Sequence, residues 1–234
     1  MWDGIYVDGQ NINSELIVRQ TIIQDAMNAI VSVNGGKYTV DQYSNLNKNY
    51  KSILGHPFSG NHMGTIEQST VSCLFAADHP CVIPSPDPSR LIAPHLGERT
   101  AIGVEITDVN NITIGLSGPS SQNFFNTFDF MDLGIKSVRS NVRVVNNIFQ
   151  NMQFVPNQNP IAAVWAIGSN ASDPPPVFNL IVGGMFPNES NIFSSCRTGV
   201  LGEQNMNVKV IKNRFTGMSR ECVLLQFLNA DNFV

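Results

Sequence analysis

Short runs of alternating apolar and polar residues, separated by turns, follow one another along the chain. In Asn141-Val-Arg-Val-Val-Asn-Asn-Ile-Phe-Gln-Asn-Met152, two valines flank Arg143, which is the alternation of a strand with one buried and one wet side. The segment Asn207-Val-Lys-Val-Ile-Lys-Asn-Arg-Phe-Thr-Gly-Met218 matches it at six of twelve positions. The chain is therefore predicted to repeat a unit of short strands.

Four such units begin at Asn111, Asn141, Asn179 and Asn207, and long and short forms alternate. A second Asn follows the first by six residues in the short form and by twelve in the long form, with Asn123-Phe-Phe125 aligned to Asn191-Ile-Phe193. The extra residues, 116–122 and 184–190, are predicted loops. Asn tolerates left-handed backbone and bonds nearby backbone groups, so the second Asn marks a strand end. The Phe that follows, as at Phe149 and Phe215, is predicted to point inward.

Another short strand precedes each unit, and the same pattern occurs before residue 50. The preceding strands are Ile102-Gly-Val104, Gly134-Ile135, Ala163-Val-Trp165, Gly199-Val-Leu201 and Cys222-Val-Leu224. Units of roughly 22–35 residues with no helical period between them favour a solenoid of stacked parallel strands. The sequence predicts an all-β fold, a single-stranded parallel β-helix over residues 1–234 with a loop-rich insertion at 55–99. Stacked Asn side chains at the turns would account for the 27 Asn residues.

Composition excludes several classes of protein. Only 14% of residues are charged and the net charge is −4, so a basic patch for nucleic acid is not expected. No apolar run approaches the roughly 20 residues of a membrane span. The chain opens and ends inside strand patterns, which we interpret as a piece of a longer protein. Unpaired end strands then favour end-to-end self-association.

The repeats resemble the right-handed parallel β-helix coils of pectate-lyase-like proteins, and most of all the large secreted and cell-surface β-helix proteins of Bacteroidetes. The motifs that carry the resemblance are Trp2-Asp-Gly-Ile-Tyr-Val-Asp-Gly9, Asn111-Ile-Thr-Ile-Gly115, Asn141-Val-Arg-Val-Val-Asn-Asn-Ile-Phe149 and Asn207-Val-Lys-Val-Ile-Lys-Asn-Arg-Phe215. The resemblance implies export or surface attachment, and some relatives are polysaccharide lyases or glycoside hydrolases.

The acidic residues do not form a catalytic motif. They are scattered along the sequence as Asp8, Asp25, Asp41, Glu105, Asp108, Asp129, Asp132 and Glu203. Asp129 and Asp132 are nearest to a pair, but strand residues three apart face opposite sides. We therefore interpret this pair as a solvated turn rather than two acids of one site.

The insertion at 55–99 holds all four His, two of the four Cys and a Pro-rich stretch at 80–94. Loops raised on a rigid scaffold commonly carry recognition, and His79, His95, Glu98 and Arg99 are the predicted binding residues. Cys73 and Cys81 are a candidate disulfide, with free thiols as the equal alternative. Cys73, His79, Cys81 and His95 are ligand types that zinc accepts, but their spacing matches no common zinc module, so neither a metal nor another cofactor is predicted.

Aromatic residues and the remaining cysteines have two interpretations each. Tyr6, Phe124, Phe125 and Trp165 could stack on sugar rings, although filling the solenoid interior is the favoured interpretation. Cys196 and Cys222 each lie in a repeat strand. They could be neighbours on successive coils, and small buried core residues are favoured over a disulfide between them.

The leading functional hypothesis is a secreted or surface-attached structural or binding module, for carbohydrate or adhesion. The alternatives are a polysaccharide lyase or hydrolase of the β-helix type and a receptor-binding domain like that of a phage tailspike. An enzyme should cluster outward acidic and basic residues over adjacent coils. A binding wall should instead present exposed rows of aromatic or Asn side chains.

Overall fold

A computed structural model describes residues 2–10, 14–61, 64–72, 100–117, 125–152, 161–169, 178–204 and 206–226. Its strands succeed one another as coils of a solenoid. Coil 1 consists of β1 (Ile5–Asp8), β2 (Glu15–Arg19) and β3 (Ile22–Gln24), and coil 2 of β4 (Asn28–Val33), β5 (Lys37–Asp41) and β6 (Asn45–Asn47). Coil 3 consists of β7 (Lys51–Gly55), β8 (Phe58–Asn61), β9 (Thr65–Ile66) and β10 (Thr70–Ser72), and coil 4 of β11 (Thr100–Thr107), β12 (Val109–Asn110), β13 (Ile112–Ile114) and β14 (Asn126–Asp129).

The later coils have three strands each. Coil 5 consists of β15 (Met131–Val138), β16 (Val142–Val144) and β17 (Asn147–Met152), coil 6 of β18 (Ala162–Ile167), β19 (Phe178–Gly183) and β20 (Ile192–Cys196), and coil 7 of β21 (Val200–Glu203), β22 (Met206–Ile211) and β23 (Arg214–Thr216). The last described strand, β24 (Val223–Gln226), opens coil 8.

Each coil contributes to three faces, and equivalent strands of successive coils pair in parallel. The first face is an eight-stranded sheet, β1-β4-β7-β11-β15-β18-β21-β24. The second face consists of β2-β5-β9 and then β13-β16-β19-β22, and the third is the seven-stranded sheet β3-β6-β10-β14-β17-β20-β23. The strands β8 and β12 form a separate parallel pair. The predicted all-β parallel β-helix is confirmed.

The four repeat units lie in one register on the second face. Ile112, Val142, Leu180 and Val208 are successive partners along β13, β16, β19 and β22. These side chains point into the core, whereas the alternate positions face outward. The register of the repeats was therefore readable from the sequence.

A stack of phenylalanines fills the core beneath the third face. Phe128, Phe149, Phe193 and Phe215 are successive partners whose ring centroids lie 4.9, 5.0 and 4.6 Å apart. Ile23, Leu46 and Val71 occupy the same position in coils 1 to 3. The prediction that Phe149 and Phe215 stack inside the solenoid is confirmed, with Phe193 between them.

Small residues on the first face make room for these rings. A Cβ added to Gly134 would lie 3.0 Å from Cδ1 of Phe149, and one on Gly199 would lie 2.5 Å from Cε1 of Phe215. Interiors at this packing density do not absorb such an overlap without strain. Glycine before the first-face Val or Ile therefore leaves the space that the ring of the third-face Phe fills.

A buried ladder of side-chain amides runs two residues before the phenylalanines. The Nδ2 atoms of Asn126, Asn147 and Asn191 donate to Oδ1 of Asn147, Asn191 and Asn213 at 2.9, 3.0 and 2.9 Å. Oδ1 of Asn191 and of Asn213 also accepts from the backbone N–H of the preceding coil's Asn. Ser44 and Ser69 stand at this position in coils 2 and 3. The ladder satisfies polar groups at turns that are buried at Asn126, Asn147 and Asn191 and half-buried at Asn213.

The sequence alignment was wrong at one long loop. Asn126 and Phe128 join the ladder and the stack, not Asn123 and Phe125, so the coil 4 loop is three residues longer than predicted. Gly115 and Gly183, at φ +103° and +84°, end the second-face strands from which both long loops leave. In the short-form coils the equivalent positions are Val145, which follows β16, and Ile211, which ends β22.

The region predicted as a loop-rich insertion contains coil strands at its start. Strands β9 and β10 pair with β5 and with β6 and β14. Residues 73–99, including Cys73, His79, Cys81, His95, Glu98 and Arg99, lie outside the described residues, so the predicted binding residues and disulfide stay predictions. The predicted end-to-end self-association also stays a prediction.

Candidate functional site

A groove of about 390 Å³ opens on the outer side of the second face, across β13, β16 and β19. Its outward-facing wall consists of Asn111, Thr113, Asn141, Arg143, Asn179 and Ile181. These residues occupy equivalent positions in coils 4, 5 and 6, so the groove runs along the solenoid axis. Adjacent strands are about 4.8 Å apart, and the wall repeats its chemistry at that interval.

An exposed row of asparagine amides borders the groove. Nδ2 of Asn141 donates to Oδ1 of Asn110 at 3.2 Å, Nδ2 of Asn179 to Oδ1 of Asn141 at 3.1 Å, and Nδ2 of Asn207 to Oδ1 of Asn179 at 2.9 Å. An amide nitrogen has two N–H donors, and each of these three nitrogens uses one in the row. The second N–H is available to a ligand oxygen.

Arg143 lies at the centre of the groove and is the charged residue among those described at its wall. Its Nη2 donates to Oε1 of Glu189 at 2.6 Å, while its Nε is buried without a hydrogen-bond partner. The Arg143 side chain is 37% exposed and that of Glu189 is 1% exposed. A buried carboxylate thus holds a partly exposed cation against the groove.

The two long loops meet beside Arg143. Oγ of Ser117, in the coil 4 loop, donates to Oε1 of Glu189 at 2.8 Å. Glu189 ends a short 3₁₀ helix (Pro187–Glu189) in the coil 6 loop, and its Oε2 accepts from the backbone N–H of Phe186 at 3.3 Å. Coil 5 has the short form, so the loops of its two neighbours come together over it. The alternation of long and short repeats therefore builds the groove rim.

Apolar surface accompanies the polar rim. Met185 and Phe186 in the coil 6 loop are exposed, and Ile181 is half-buried at the groove wall. A Cβ on Gly184 would lie 2.0 Å from Oε2 of Glu189. Glycine at 184 is therefore needed for the carboxylate to reach its position.

The first face carries a separate cluster of charges. Oε2 of Glu105 accepts from Nζ of Lys51 and Oε1 from Nζ of Lys136, at 2.5 and 2.7 Å. Burial alone would raise the pKa of Glu105, but the hydrogen bonds and charges of the two lysines outweigh it and lower that pKa. A carboxyl with a lowered pKa holds no proton for general acid catalysis at neutral pH.

Asp129 and Asp132, the nearest approach to a carboxylate pair in the sequence, lie in strands of different faces. Asp129 ends β14 on the third face, whereas Asp132 lies in β15 on the first. Oδ2 of Asp129 accepts from Gln150 and Oδ1 from Asn151, each at 2.8 Å. The two acids therefore belong to strands of different faces and not to opposite sides of one strand. The prediction of a solvated turn was wrong for Asp129, which is buried.

Two predictions about aromatic and cysteine positions were also wrong. Tyr6 is 63% exposed, and Trp165 packs in a cluster outside the main core, with Nζ of Lys136 5.9 Å from its ring centroid. Ala163 and Val164 both enter the core, so strict alternation of inward and outward residues fails in this strand. Cys196 is buried but Cys222 is exposed, and they lie at different faces. Phe124 lies outside the described residues.

Sequence reasoning missed Arg143 and Glu189. Arg143 stands at the wet position of a repeat strand, where a solvated cation is ordinary, and Glu189 is 46 residues away in the chain. Within the described ranges, no group of three or more His, Cys, Asp or Glu could hold a metal ion. None of the helices in the part of the chain that the structure describes could cross a membrane.

Comparisons with family models, with curated proteins and with solved structures found no match to this chain. Function must therefore be argued from the groove and its side chains.

Proposed function

We propose that this chain is a non-catalytic β-helix binding module and that the groove of the second face binds carbohydrate. The observation that carries the proposal is the exposed row Asn110, Asn141, Asn179 and Asn207, whose last three amides each keep a free N–H beside the groove. Sugar hydroxyls both donate and accept hydrogen bonds, so uncharged amides at regular spacing suit them. An extended ligand lying along the axis would meet the same donor on each coil.

The shape and the rim of the groove support the same ligand. A volume of about 390 Å³ falls within the range of small-molecule sites, and the open wall leaves room for a chain that continues past it. Phe186 and Met185 at the rim supply apolar surface against which the less polar face of a sugar ring can pack. The resemblance of the repeats to pectate-lyase-like β-helix proteins of the cell surface agrees with this proposal and with a location outside the cell.

The described acidic residues favour binding over catalysis. The carboxylate of Glu105 is held by two lysines, that of Asp129 by two amides, and that of Glu189 by Arg143 and Ser117. A polysaccharide hydrolase needs two carboxyls placed about the scissile bond. No such pair occurs in the described part of the groove.

The test is a glycan array followed by calorimetry on the wild type, on Asn141→Ala/Asn179→Ala, and on Gln24→Ala. Gln24 is an exposed amide on the third face of coil 1, so it is a matched control. We expect the wild type and Gln24→Ala to bind the same glycans and the double variant to bind them at least tenfold more weakly. Equal binding by all three proteins would remove the Asn row from the site, and wild type that binds no glycan would overturn the proposal.

A further inference from the structure

We propose that Arg143 is the specificity residue of the groove and that it selects glycans carrying an anionic oxygen group, either a carboxylate or a sulfate ester. This inference rests on the proposed carbohydrate function. It goes further because the uncharged amides of the Asn row bind sugar hydroxyls without selecting one sugar over another. A fixed guanidinium, in contrast, distinguishes charged sugars from neutral ones.

The guanidinium of Arg143 is under-used by the protein. It has five N–H donors, and the described structure gives it one hydrogen bond, from Nη2 to Oε1 of Glu189 at 2.6 Å. Nε is buried with no partner, which is costly for a charged donor. The side chain is nevertheless 37% exposed, so the oxygen atoms of a ligand in the groove would accept from the exposed N–H groups of the guanidinium and not from Nε.

Glu189 holds the guanidinium in place before a ligand arrives. Its carboxylate is almost completely buried and is itself fixed by Ser117 and the Phe186 backbone. A preorganised side chain loses less conformational entropy on binding than a free one. The planar fork of arginine also matches the two oxygens of a carboxylate or the oxygens of a sulfate.

The surrounding charge favours an anion over a cation. Arg143 is the charged side chain on the described wall, and the other five outward-facing residues are amides, Thr113 and Ile181. Lys209, the partner of Ile181 on the next coil, lies in the same outward row but outside the groove wall. Glu189 offsets one positive charge, but its carboxylate is buried within the coil 6 loop, with 1% of the side chain exposed.

The experiment compares three hexasaccharide probes by calorimetry: cello-oligosaccharide, which is neutral, hyaluronan, which carries carboxylates, and chondroitin sulfate, which carries both carboxylate and sulfate. The proteins are the wild type, Arg143→Gln, Arg143→Lys and Lys209→Gln. Lys209 has the same charge in the same row outside the groove wall, so its substitution is the matched control. Circular dichroism checks that each variant is folded.

We expect the wild type to prefer an anionic probe over the neutral one by about ten- to a hundredfold, as a charge-assisted hydrogen-bond pair gives. Arg143→Gln should abolish that preference, Arg143→Lys should keep only part of it, and Lys209→Gln should keep it nearly whole. Preference for hyaluronan would identify the carboxylate, and preference for chondroitin sulfate alone would identify the sulfate.

Two negative results are distinguishable. Equal affinity for neutral and anionic probes, unchanged in Arg143→Gln, would overturn the role of Arg143 while the Asn row could still bind sugars. Wild type that binds neither these probes nor any glycan of the array would overturn the proposed function together with this inference.

Discussion

At the scale of single residues, asparagine has two distinct roles in this protein. In the buried ladder, Asn147 satisfies the carbonyls of Ile114 and Val145 and accepts from Asn126. In the exposed row, Asn179 bonds only its neighbours Asn141 and Asn207 and the solvent can replace those bonds. The same residue type thus stabilises the turn in one row and presents donors in the other.

The buried amide is therefore predicted to matter more for stability than the exposed one. Asn147→Ala should lower the free energy of unfolding by about 3 kcal/mol, because several buried partners lose their hydrogen bonds. Asn179→Ala should lower it by less than about 1 kcal/mol. Urea denaturation of both variants measures the difference, and equal losses would show that the two rows contribute alike.

The ion cluster of Glu105 predicts a dependence of stability on pH. The folded-state pKa of Glu105 is lowered, so its contribution is present above the unfolded value of about 4.3 and is lost as pH falls through the folded value. Glu105→Gln should melt at a lower temperature than the wild type at pH 7, since Lys51 and Lys136 lose their partner. Melting curves at pH 7, 5 and 3 should show this gap narrowing, and a constant gap would contradict the assignment.

At the scale of elements, each strand is short and gains its stability from the strands above and below. The inward residues of a second-face strand, such as Val142 and Val144, are completely or almost completely buried, while its outward residues are free to vary. The aromatic stack adds offset contacts between rings, each worth about 0.5–1.5 kcal/mol beyond the buried area. Repetition therefore constrains one side of each strand and leaves the other for function.

The stack predicts unequal effects of truncating its members. Phe149 is completely buried between Phe128 and Phe193, and Phe149→Ala should cost about 3–5 kcal/mol. Phe215 is half-buried and stacks on Phe193 alone among the described rings, so Phe215→Ala should cost about 2 kcal/mol. Chemical denaturation of the two variants measures both values, and a larger loss for Phe215→Ala would contradict the packing order.

The sequence predicted these elements well where the repeat is regular. The starts at Asn111, Asn141, Asn179 and Asn207 fall in one register, because identical inward positions must stack to fill one core. It failed at Asn126, where the loop length was free, and at Trp165, where two successive residues turn inward. The Arg143–Glu189 pair was beyond sequence reasoning, since it depends on two loops meeting over a third coil.

At the scale of the whole molecule, the groove is a product of alternation between coils. Long loops on coils 4 and 6 carry Ser117 and Glu189, and the short coil 5 places Arg143 in the gap between them. A solenoid of identical repeats would present an unbroken wall there. The fold supplies the rigid wall, and the variation in loop length makes a localised site on it.

Because each coil contacts mainly its neighbours, a local defect should loosen the solenoid locally. In repeat proteins stability is close to a sum of repeat and nearest-neighbour contributions, and partial opening is seen by amide hydrogen exchange. Phe149→Ala in coil 5 should speed exchange in peptides covering 126–152 and 192–203 and leave 28–41 unchanged. Ile53→Ala, which removes a completely buried side chain of coil 3, should do the reverse, speeding exchange in 28–41 and 100–107 while sparing 192–203. Hydrogen exchange by mass spectrometry distinguishes the two patterns, and a uniform rise across the chain in both variants would mean that the solenoid opens as one cooperative unit.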